Sequence, residues 1–292
     1  MPVHFKKVAI IGVGLIGGSL AMALKHRRMA DTIVGIGRGL PNLETAKRLG
    51  VVDSIAQDVG SAVAGCDLVV VAVPVLQIGK TIKKAVPGLK PPCIITDVGS
   101  VKKAIIDEVE PFLPAGISYV PGHPIAGTEN SGVEAAMVHL YNERVCVLTP
   151  TSKTPPEDTE KVKEMWETAG SKVVIMDAAA HDAVLSAISH LPHVIAYTLV
   201  NTVAAAGEKN AGFLGCSAGG FRDFTRIASS SPEMWTDICA MNRDNIIGMI
   251  DDFQRHLEAL KRLIARGDLK GIMAHFEMAK KVRDSVAAAS KK

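Results

Sequence analysis

The chain has 292 residues, of which 48% are hydrophobic and 22% are charged, so it is long enough for about two domains with a substantial buried core. Its formal net charge is only +3, with 33 basic and 30 acidic side chains spread along the sequence, which argues against a nucleic acid or a membrane surface as partner. The N-terminus leads directly into the first predicted strand, and the apolar run at 194–206 is too short to span a membrane. We therefore expect a cytoplasmic protein.

Residues 8–20 have the pattern of a dinucleotide-binding turn. An apolar, largely β-branched run predicts a buried strand, and glycines follow it at G-x-G-x-x-G spacing before a helical run. The first glycine would permit a tight turn, the second would let a pyrophosphate approach the backbone, and the third would let the helix pack on the strand. The positive N-terminus of that helix would face the phosphates. The cofactor-binding residues expected in this turn are Gly12, Gly14, Leu15, Ile16 and Gly17.

The end of the second predicted strand, at residues 32–36, bears on the choice between NAD and NADP. An aspartate or glutamate at this point would accept a hydrogen bond from the ribose 2′-hydroxyl of NAD. The chain has Gly37 and Arg38 instead, which offer room and positive charge for a 2′-phosphate. We therefore expect NADP as the cofactor, with NAD as the alternative if Arg38 is an ordinary exposed loop arginine.

Strand and helix patterns alternate through residues 67–112, which predicts a parallel, doubly wound α/β sheet. Ligands of such sheets bind beyond the carboxyl ends of the strands. Val73 and Pro74 end one strand and Asp97 ends the next, so we expect all three to bind the cofactor. His123 lies between a glycine and a proline in a short loop that follows a further strand, on the same side of the domain.

The strand pattern ends before residue 177, so we predict a dinucleotide-binding Rossmann domain at 1–176 and an all-α domain at 177–292. The long apolar helix at 181–206 contains Pro192, which should kink it. Apolar residues at steps of four and three over 246–264 predict a seam on a long helix. A homodimer through the helical domain would bury that seam.

Histidine and arginine side chains of the helical domain are candidates for a site. His190 and His193 are three residues apart and share a helix face, without the H-E-x-x-H spacing of a zinc pair, so no metal is expected. Arg222 and Arg226 lie beside two phenylalanines. Burying these arginines would need an anionic partner, either Asp223 or a substrate carboxylate.

These motifs together resemble the prephenate/arogenate (cyclohexadienyl) dehydrogenase family of tyrosine biosynthesis. The resemblance rests on the segments GVGLIGGSL at 12–20, DVGSVK at 97–102, GHPIAGTE at 122–129, SHLPH at 189–193 and GGFRDFTRIA at 219–228. It implies a Rossmann domain, an all-helical dimerisation domain, a nicotinamide cofactor and an active site between the domains. The implied reaction is the oxidative decarboxylation of prephenate to 4-hydroxyphenylpyruvate, or of arogenate to tyrosine, with hydride transfer to NAD(P)⁺.

The resemblance also implies catalytic roles. Hydride would leave C4 of the cyclohexadienyl ring, and loss of CO2 from C1 would then aromatise the ring. His123 would accept the proton of the C4 hydroxyl, since an imidazole is suited to proton acceptance near neutrality. Ser100 would bond the same hydroxyl or orient His123, and His190 would line the ring pocket.

For substrate binding, the resemblance implies that Arg226 holds the side-chain carboxylate through a bidentate pair and that Asp223 orients this arginine. His193 would line the ring pocket, and Glu129 would gate or polarise it. The residues do not distinguish prephenate from arogenate, because the two substrates differ only as keto and amino forms of one side chain.

Two other functions share parts of this pattern. A β-hydroxyacid dehydrogenase or imine reductase has the same layout, but it usually carries a catalytic lysine on the first long helix of the second domain, and residues 181–206 contain none. A non-catalytic nucleotide sensor would share the first domain. It would give no reason for His123, His190, His193 and Arg226 to lie near one cleft.

Overall fold

The computed structural model describes residues 3–128, 130–207 and 218–289. The chain divides into two compact units, Met1–Arg243 and Asp244–Lys292. The first unit contains two β-sheets and the helices that follow them, and the second contains two long helices. The domain boundary after residue 176 stays a prediction, since the helices between that point and residue 243 belong to the first compact unit.

Six parallel strands form the main sheet and confirm the predicted doubly wound architecture. These strands are β1 (Phe5–Ile11), β2 (Ala30–Ile36), β3 (Ser54–Ala56), β4 (Leu68–Val71), β5 (Cys93–Asp97) and β6 (Ile117–Val120), in the spatial order β3-β2-β1-β4-β5-β6. Ile11 of β1 pairs with Ile36 of β2 and with Val71 of β4, and Val71 pairs with Asp97 of β5. The carboxyl ends of the central strands are therefore level with one another, which places the following loops along one edge.

The helices of this sheet domain build its core through their apolar faces. They are α1 (Leu15–His26), α2 (Leu40–Arg48), α3 (Val59–Ala62), α4 (Ile78–Ala85), α5 (Lys103–Val109) and α6 (Pro156–Thr168). Leu20 and Leu24 of α1 and Trp166 of α6 are fully buried in one apolar cluster with Val8 and Ile10 of β1. Burying each such aliphatic side chain contributes about 1.5–3 kcal/mol, so this core holds the glycine turn in place.

A second sheet of three strands carries the histidine loop. Its strands are β7 (Gly122–Pro124), β8 (Val145–Leu148) and β9 (Lys172–Ile175), with β7 antiparallel and β9 parallel to β8. His123 is therefore paired with Val147 as part of a strand, whereas the sequence suggested a short loop. The pairing of Gly122, His123 and Pro124 with β8 fixes the backbone of the histidine more firmly than a loop would.

The helical part of the first unit opens with one helix of 30 residues, Ala178–Gly207. Its segments are α7 (Ala178–Leu185), a π-helical turn (Ser186–His190) and α8 (Leu191–Gly207), and it is followed by α9 (Gly219–Thr225) and α10 (Pro232–Met241). In the π turn, the Leu191 N–H donates to the Ser186 carbonyl, five residues back. The irregularity expected at Pro192 takes this form, because proline has no N–H and its ring crowds the preceding turn.

By length and composition alone, the helix Ala178–Gly207 could cross a membrane, since an 18-residue window within it has a mean hydropathy of 1.5. The helix is longer than the apolar run read from the sequence. It also buries His181, Asp182 and His190 within the first unit, where each is hydrogen-bonded. These buried polar contacts are those of a helix packed in a protein domain.

The second unit consists of α11 (Arg243–Ala265) and α12 (Leu269–Ala289). Gly267 has a φ of +64° between them, and the N–H groups of Gly267 and Asp268 bond to the carbonyls of Ile264 and Leu263. This is a Schellman ending, and the Asp268 carboxylate then caps α12 by accepting the Gly271 N–H at 2.9 Å.

Candidate active site

The glycine turn after β1 has the geometry that a dinucleotide needs. Gly12 has a φ of +99°, and a Cβ added there would lie 2.2 Å from the Ala72 carbonyl oxygen. A Cβ on Gly17 would lie 2.2 Å from the Gly12 carbonyl oxygen, whereas a Cβ on Gly14 would meet nothing within 4 Å. The first and third glycines are therefore required by the fold, and the second leaves the approach to the helix open.

A cleft of about 440 Å³ opens at this turn. Among the residues that line it are Gly14, Leu15, Ile16, Gly17, Val73 and Pro74. The N-terminus of α1 has no side-chain cap and no acidic residue in its first turn within the described residues. Its free N–H groups and positive dipole end therefore suit a pyrophosphate, and the cleft fits a nicotinamide dinucleotide.

Four predicted cofactor residues do not line this cleft: Gly12, which forms the turn beneath it, and Gly37, Arg38 and Asp97. Gly37 follows β2, and a Cβ added there would lie 3.5 Å from the Leu43 side chain, so the position has room. Arg38 is exposed, and its carbonyl accepts the side-chain amide of Gln57 at 2.8 Å. Asp97 is fully buried and does not line the cleft, so a contact between it and the cofactor stays a prediction.

Asp97 anchors a buried ion-pair cluster beneath the histidine strand. The buried Lys102 ammonium donates to Asp97 Oδ2 and, at 2.7 Å, to the Gly122 carbonyl. The Tyr119 hydroxyl donates to Asp97 Oδ1 at 2.8 Å, and the Gly99 N–H donates to Oδ2 at 2.8 Å. Burial and the Asp97 charge raise the pKa of Tyr119, so the phenol stays a donor. The cluster fixes the backbone immediately before His123.

His123 is 8% exposed and begins a hydrogen-bonded row of three buried side chains. Its Nδ1 lies 2.9 Å from His181 Nε2, and His181 Nδ1 lies 2.7 Å from Asp182 Oδ1. Burial, and then the neighbouring His181, Lys102 and His190, lower the pKa of His123 well below its ordinary value. His123 is therefore neutral near pH 7 and free to accept a proton.

The carboxylate of Asp182, the last residue of this row, determines which nitrogen atoms donate along it. The Asp182 carboxylate only accepts, so His181 donates from Nδ1, and a neutral His181 has its lone pair on Nε2. His123 must then donate from Nδ1 to His181, which leaves the lone pair of His123 on Nε2. The row thus selects one of the two neutral tautomers of His123.

A second cavity, of about 570 Å³, shares the walls at His123 and Ser100 with the cofactor cleft. His190, His193 and Arg226 line it as well. The structure therefore brings together His123, Ser100, His190, His193 and Arg226 around one cavity, next to the cleft where a nicotinamide would bind. A hydride acceptor in the cleft and a donor in the cavity would meet at this shared wall.

His193 is held by stacking. Its ring lies on Trp235 with centroids 3.8 Å apart, and its Nδ1 donates to the Ser189 carbonyl at 2.9 Å. Burial first, and then the positive charge of Arg226, lower the pKa of His193, against a hydrogen bond to Ser189 that raises it. The ring is therefore neutral near pH 7 and presents its Nε2 lone pair.

His190 has the opposite polarity. The side-chain amide of Asn242 donates to the Asp182 carbonyl at 2.8 Å and lies 3.1 Å from His190 Nδ1, so this nitrogen accepts and Nε2 carries the proton. Burial lowers the pKa of His190 to about 4. Its Nε2 has no hydrogen-bond partner among the described residues.

The remaining predicted substrate residues are less closely placed. Arg226 is exposed on the cavity wall, and Arg222 is exposed too, which corrects the expectation that these arginines are buried. Asp223 is an exposed residue of α9 and does not line the cavity. Glu129 lies outside the described residues, so its role stays a prediction.

Sequence reasoning missed the residues that support His123. Lys102, His181, Asp182 and Asn242 are buried and hydrogen-bonded around it, yet only the first lies in a recognised motif. The sequence signal available was the histidine–aspartate pair at the start of a helix whose other residues are largely apolar. Nothing in the sequence connected Asn242 with this pair.

Comparisons with known proteins agree with this site. The chain matches the family described as "Prephenate dehydrogenase, nucleotide-binding domain" over residues 20–175 and the one described as "Prephenate dehydrogenase, dimerization domain" over 177–278. It is 38% identical to the cyclohexadienyl dehydrogenase of Zymomonas mobilis over 280 residues, which are 96% of this chain and 95% of that protein.

Solved structures extend the comparison to the fold. The prephenate dehydrogenase of Aquifex aeolicus in complex with hydroxyphenyl propionate and NAD⁺ superposes with a TM-score of 0.91 at 35% identity, over 96% of this chain and 98% of that chain. The arogenate dehydrogenase of Synechocystis gives 0.79 at 30% identity, over 96% and 99%. The alternatives of a β-hydroxyacid dehydrogenase and a nucleotide sensor are thereby set aside. The chain belongs to the prephenate dehydrogenase family and is an NAD(P)-dependent dehydrogenase that decarboxylates prephenate, arogenate or both.

Proposed function

We propose that His123 accepts the proton of the substrate's C4 hydroxyl while hydride leaves C4 for the nicotinamide. One observation carries this proposal: His123, a buried imidazole whose Nδ1 is engaged by His181, lines both the cofactor cleft and the second cavity. Ser100 shares that wall and would donate to the same hydroxyl oxygen. A base at this point acts on the hydroxyl of the carbon that loses hydride.

Beyond a base at the C4 hydroxyl, the bonds that break and form in this reaction need few further groups from the protein. As the C4–H bond breaks, its electron pair leaves as hydride, and the O–H electron pair forms a carbonyl while His123 holds the proton. The C1–carboxylate bond then breaks, CO2 departs, and its electron pair aromatises the ring as the oxygen regains a proton. The bound nicotinamide supplies the hydride acceptor. Aromatisation makes the sequence irreversible.

Substrate recognition is assigned to the far wall of the second cavity. Both substrates carry a ring carboxylate and a side-chain carboxylate, and Arg226 would pair with the latter. A neutral His193, stacked on Trp235, would flank the ring rather than add a second positive charge. A substrate oxygen would satisfy the buried Nε2–H of His190. Asp223 and Glu129 would act on Arg226 and on the pocket entrance.

We infer that NADP⁺ serves at least as well as NAD⁺. Gly37 offers no carboxylate to a ribose 2′-hydroxyl and none to repel a 2′-phosphate, and the adjacent Arg38 is exposed. A guanidinium pairs with a phosphate through a planar fork, which would favour NADP⁺. NAD⁺, the cofactor in the Aquifex aeolicus complex, is the alternative.

We further propose a cytoplasmic homodimer formed through the helical region. The second unit leaves Phe253, Leu257 and Ile264 exposed along the heptad-like seam of α11, and Leu269 and Met273 exposed on α12. Several large apolar side chains exposed along one pair of helices are typical of an interface. The matching dimerization-domain family is consistent with a second copy of this chain as the occupant.

The test of this function is His123→Asn, assayed with prephenate and with arogenate and with each cofactor. The asparagine amide takes the place of Nδ1 and keeps the bond to His181, so only the Nε2 lone pair is lost. We expect cofactor affinity to persist and kcat to fall by about 10²–10⁴-fold. His139→Asn, a change of an exposed histidine, is the control. A kcat for His123→Asn within a few-fold of that control would refute the role of His123.

A further inference from the structure

With both histidines neutral, the row from His123 through His181 to Asp182 has a single direction of hydrogen bonding. His181 and Asp182 are 0% and 3% exposed, so water does not compete for these bonds. Neither residue lines the second cavity. They reach the cavity through two of its lining residues: His123, which bonds to His181, and His190, which Asn242 links to the Asp182 carbonyl.

Asp182 is fixed in this row by contacts on every polar atom. Its Oδ1 accepts the N–H of Lys102 at 2.8 Å as well as the proton of His181, and its Oδ2 accepts the N–H of Lys103 at 2.9 Å. The side chain of Asn242 bonds to its carbonyl. The carboxylate can neither rotate nor become a donor without breaking several of these bonds.

Proton acceptance by His123 needs such support. The imidazolium that forms would be buried and close to the Lys102 ammonium, which disfavours a further positive charge. Asp182 places a negative charge at the far end of the hydrogen-bonded row that begins at His123, where the positive charge develops. A hydrogen-bonded row in a low-dielectric site transmits that stabilisation well.

We propose that Asp182 and His181 are positioning residues that hold His123 in its Nδ1–H tautomer and stabilise the imidazolium formed when it takes the substrate's hydroxyl proton. This inference rests on the proposed role of His123. The proton moves from the hydroxyl oxygen to His123 Nε2 and returns to that oxygen after decarboxylation. The bonds at His181 and Asp182 shorten and lengthen, but no proton leaves either residue.

Two substitutions of His181 test the tautomer. His181→Gln keeps an acceptor toward His123 Nδ1, whereas His181→Phe fills the space and offers none. We expect kcat to fall by about 10²-fold or more in the phenylalanine variant, and by much less in the glutamine variant. Long-range ¹H–¹⁵N spectra of the full chain should show His123 protonated at Nδ1 in the wild type and the glutamine variant, and at Nε2 in the phenylalanine variant.

Asp182→Asn tests the charge. An asparagine that places its oxygen at the Oδ1 position accepts from both Lys102 and His181, so the tautomer survives while the charge is lost. Its amide NH2 takes the place of Oδ2, so the Lys103 N–H loses its acceptor as well. Because removing negative charge disfavours the imidazolium, the pKa of His123 should fall. The acidic limb of the kcat/KM profile should then move to lower pH, and kcat should fall by roughly tenfold or more. If Asp182 had only a structural role, the substitution would lower kcat without shifting the acidic limb of the kcat/KM profile.

The outcomes separate this inference from the function it rests on. If His123→Asn is inactive while His181→Phe turns over within a few-fold of the wild type, the positioning role of His181 and Asp182 is wrong and the role of His123 stands. If His123→Asn remains active, the proposed function itself fails. Adding His181→Phe to His123→Asn should cause no further loss, and an additive loss would overturn the inference. Unchanged affinity for the reduced cofactor shows that each variant is folded.

Discussion

Buried His190 should make the folded protein sensitive to mild acid. It is 1% exposed, and burial lowers its pKa from 6.5 to about 4. In the unfolded chain the same side chain would titrate near its ordinary value. Between these two pKa values the unfolded state binds a proton that the folded state does not, so the free energy of unfolding falls as pH falls.

The size of this effect follows from the two pKa values. At about pH 5, an unfolded His190 is almost fully protonated and a folded one is almost neutral. With 1.36 kcal/mol for each pKa unit, this difference removes about 2 kcal/mol from the free energy of unfolding relative to its value above pH 7. The contribution is fully present above the unfolded pKa and is lost progressively as pH falls toward about 4.

The assay compares wild type with His190→Asn by urea unfolding at about pH 7.5 and about pH 5, at one protomer concentration. The asparagine oxygen takes the place of Nδ1 and accepts from Asn242, so the substitution removes the titrating ring and keeps its hydrogen bond. His123 and His193, whose pKa values are also lowered, titrate in both proteins. The stability gap between the two proteins should shift by about 2 kcal/mol in favour of the variant on acidification. A shift below about 0.5 kcal/mol would show that His190 is not held neutral by burial.

Three further predictions concern the cluster, the cofactor and the interface. Lys102→Met should lower the free energy of unfolding by roughly 3–5 kcal/mol, because it leaves Asp97 buried without its ion-pair partner. The control Lys103→Met removes an exposed ion pair and should lower it by at most about 1 kcal/mol. Denaturant unfolding measures both changes. Gly37→Asp should move the ratio of kcat/KM toward NAD⁺ by roughly tenfold or more, and an unchanged ratio would separate residue 37 from cofactor choice. Leu257→Asp should convert a dimer to monomers in light scattering at micromolar concentration, and a particle of 30.9 kDa in the wild type would contradict the homodimer.

The sheet and the glycine turn could be predicted from sequence because local pattern determines them. Continuous apolar runs such as β4 are stable only when covered on both faces, and the spacing of Gly12, Gly14 and Gly17 leaves few alternatives for the turn. His123 could be found because a short motif holds it at the carboxyl ends of the strands. The second sheet could not be foreseen, since the pairing of β7 with β8 depends on chain segments about 20 residues apart.

Asp97 and Asp182 show why the rest of the site could not be read in advance. An acidic residue at the carboxyl end of a buried strand can face a ligand or turn inward, and for Asp97 the choice depends on Lys102 and Tyr119, which reach it from separate segments. Asp182 lies 80 residues from Lys102, whose N–H it accepts. Patterns along the chain carry no information about such long-range pairs. The arginines of α9 were misjudged for a related reason, because flanking phenylalanines do not establish burial when Phe224 itself is 54% exposed.

Lys102 commits its two ends to different parts of the fold: its ammonium bonds to the carbonyl before His123, and its backbone N–H bonds to Asp182. Lys102 thus holds both the histidine strand and the orienting carboxylate, so a displacement of the loop at 98–102 would move both in the same direction. An engineer who moves this chemistry to another Rossmann scaffold would need to transplant that loop together with β7 and α7, while the cavity wall at Arg226 remains open to redesign for other side chains.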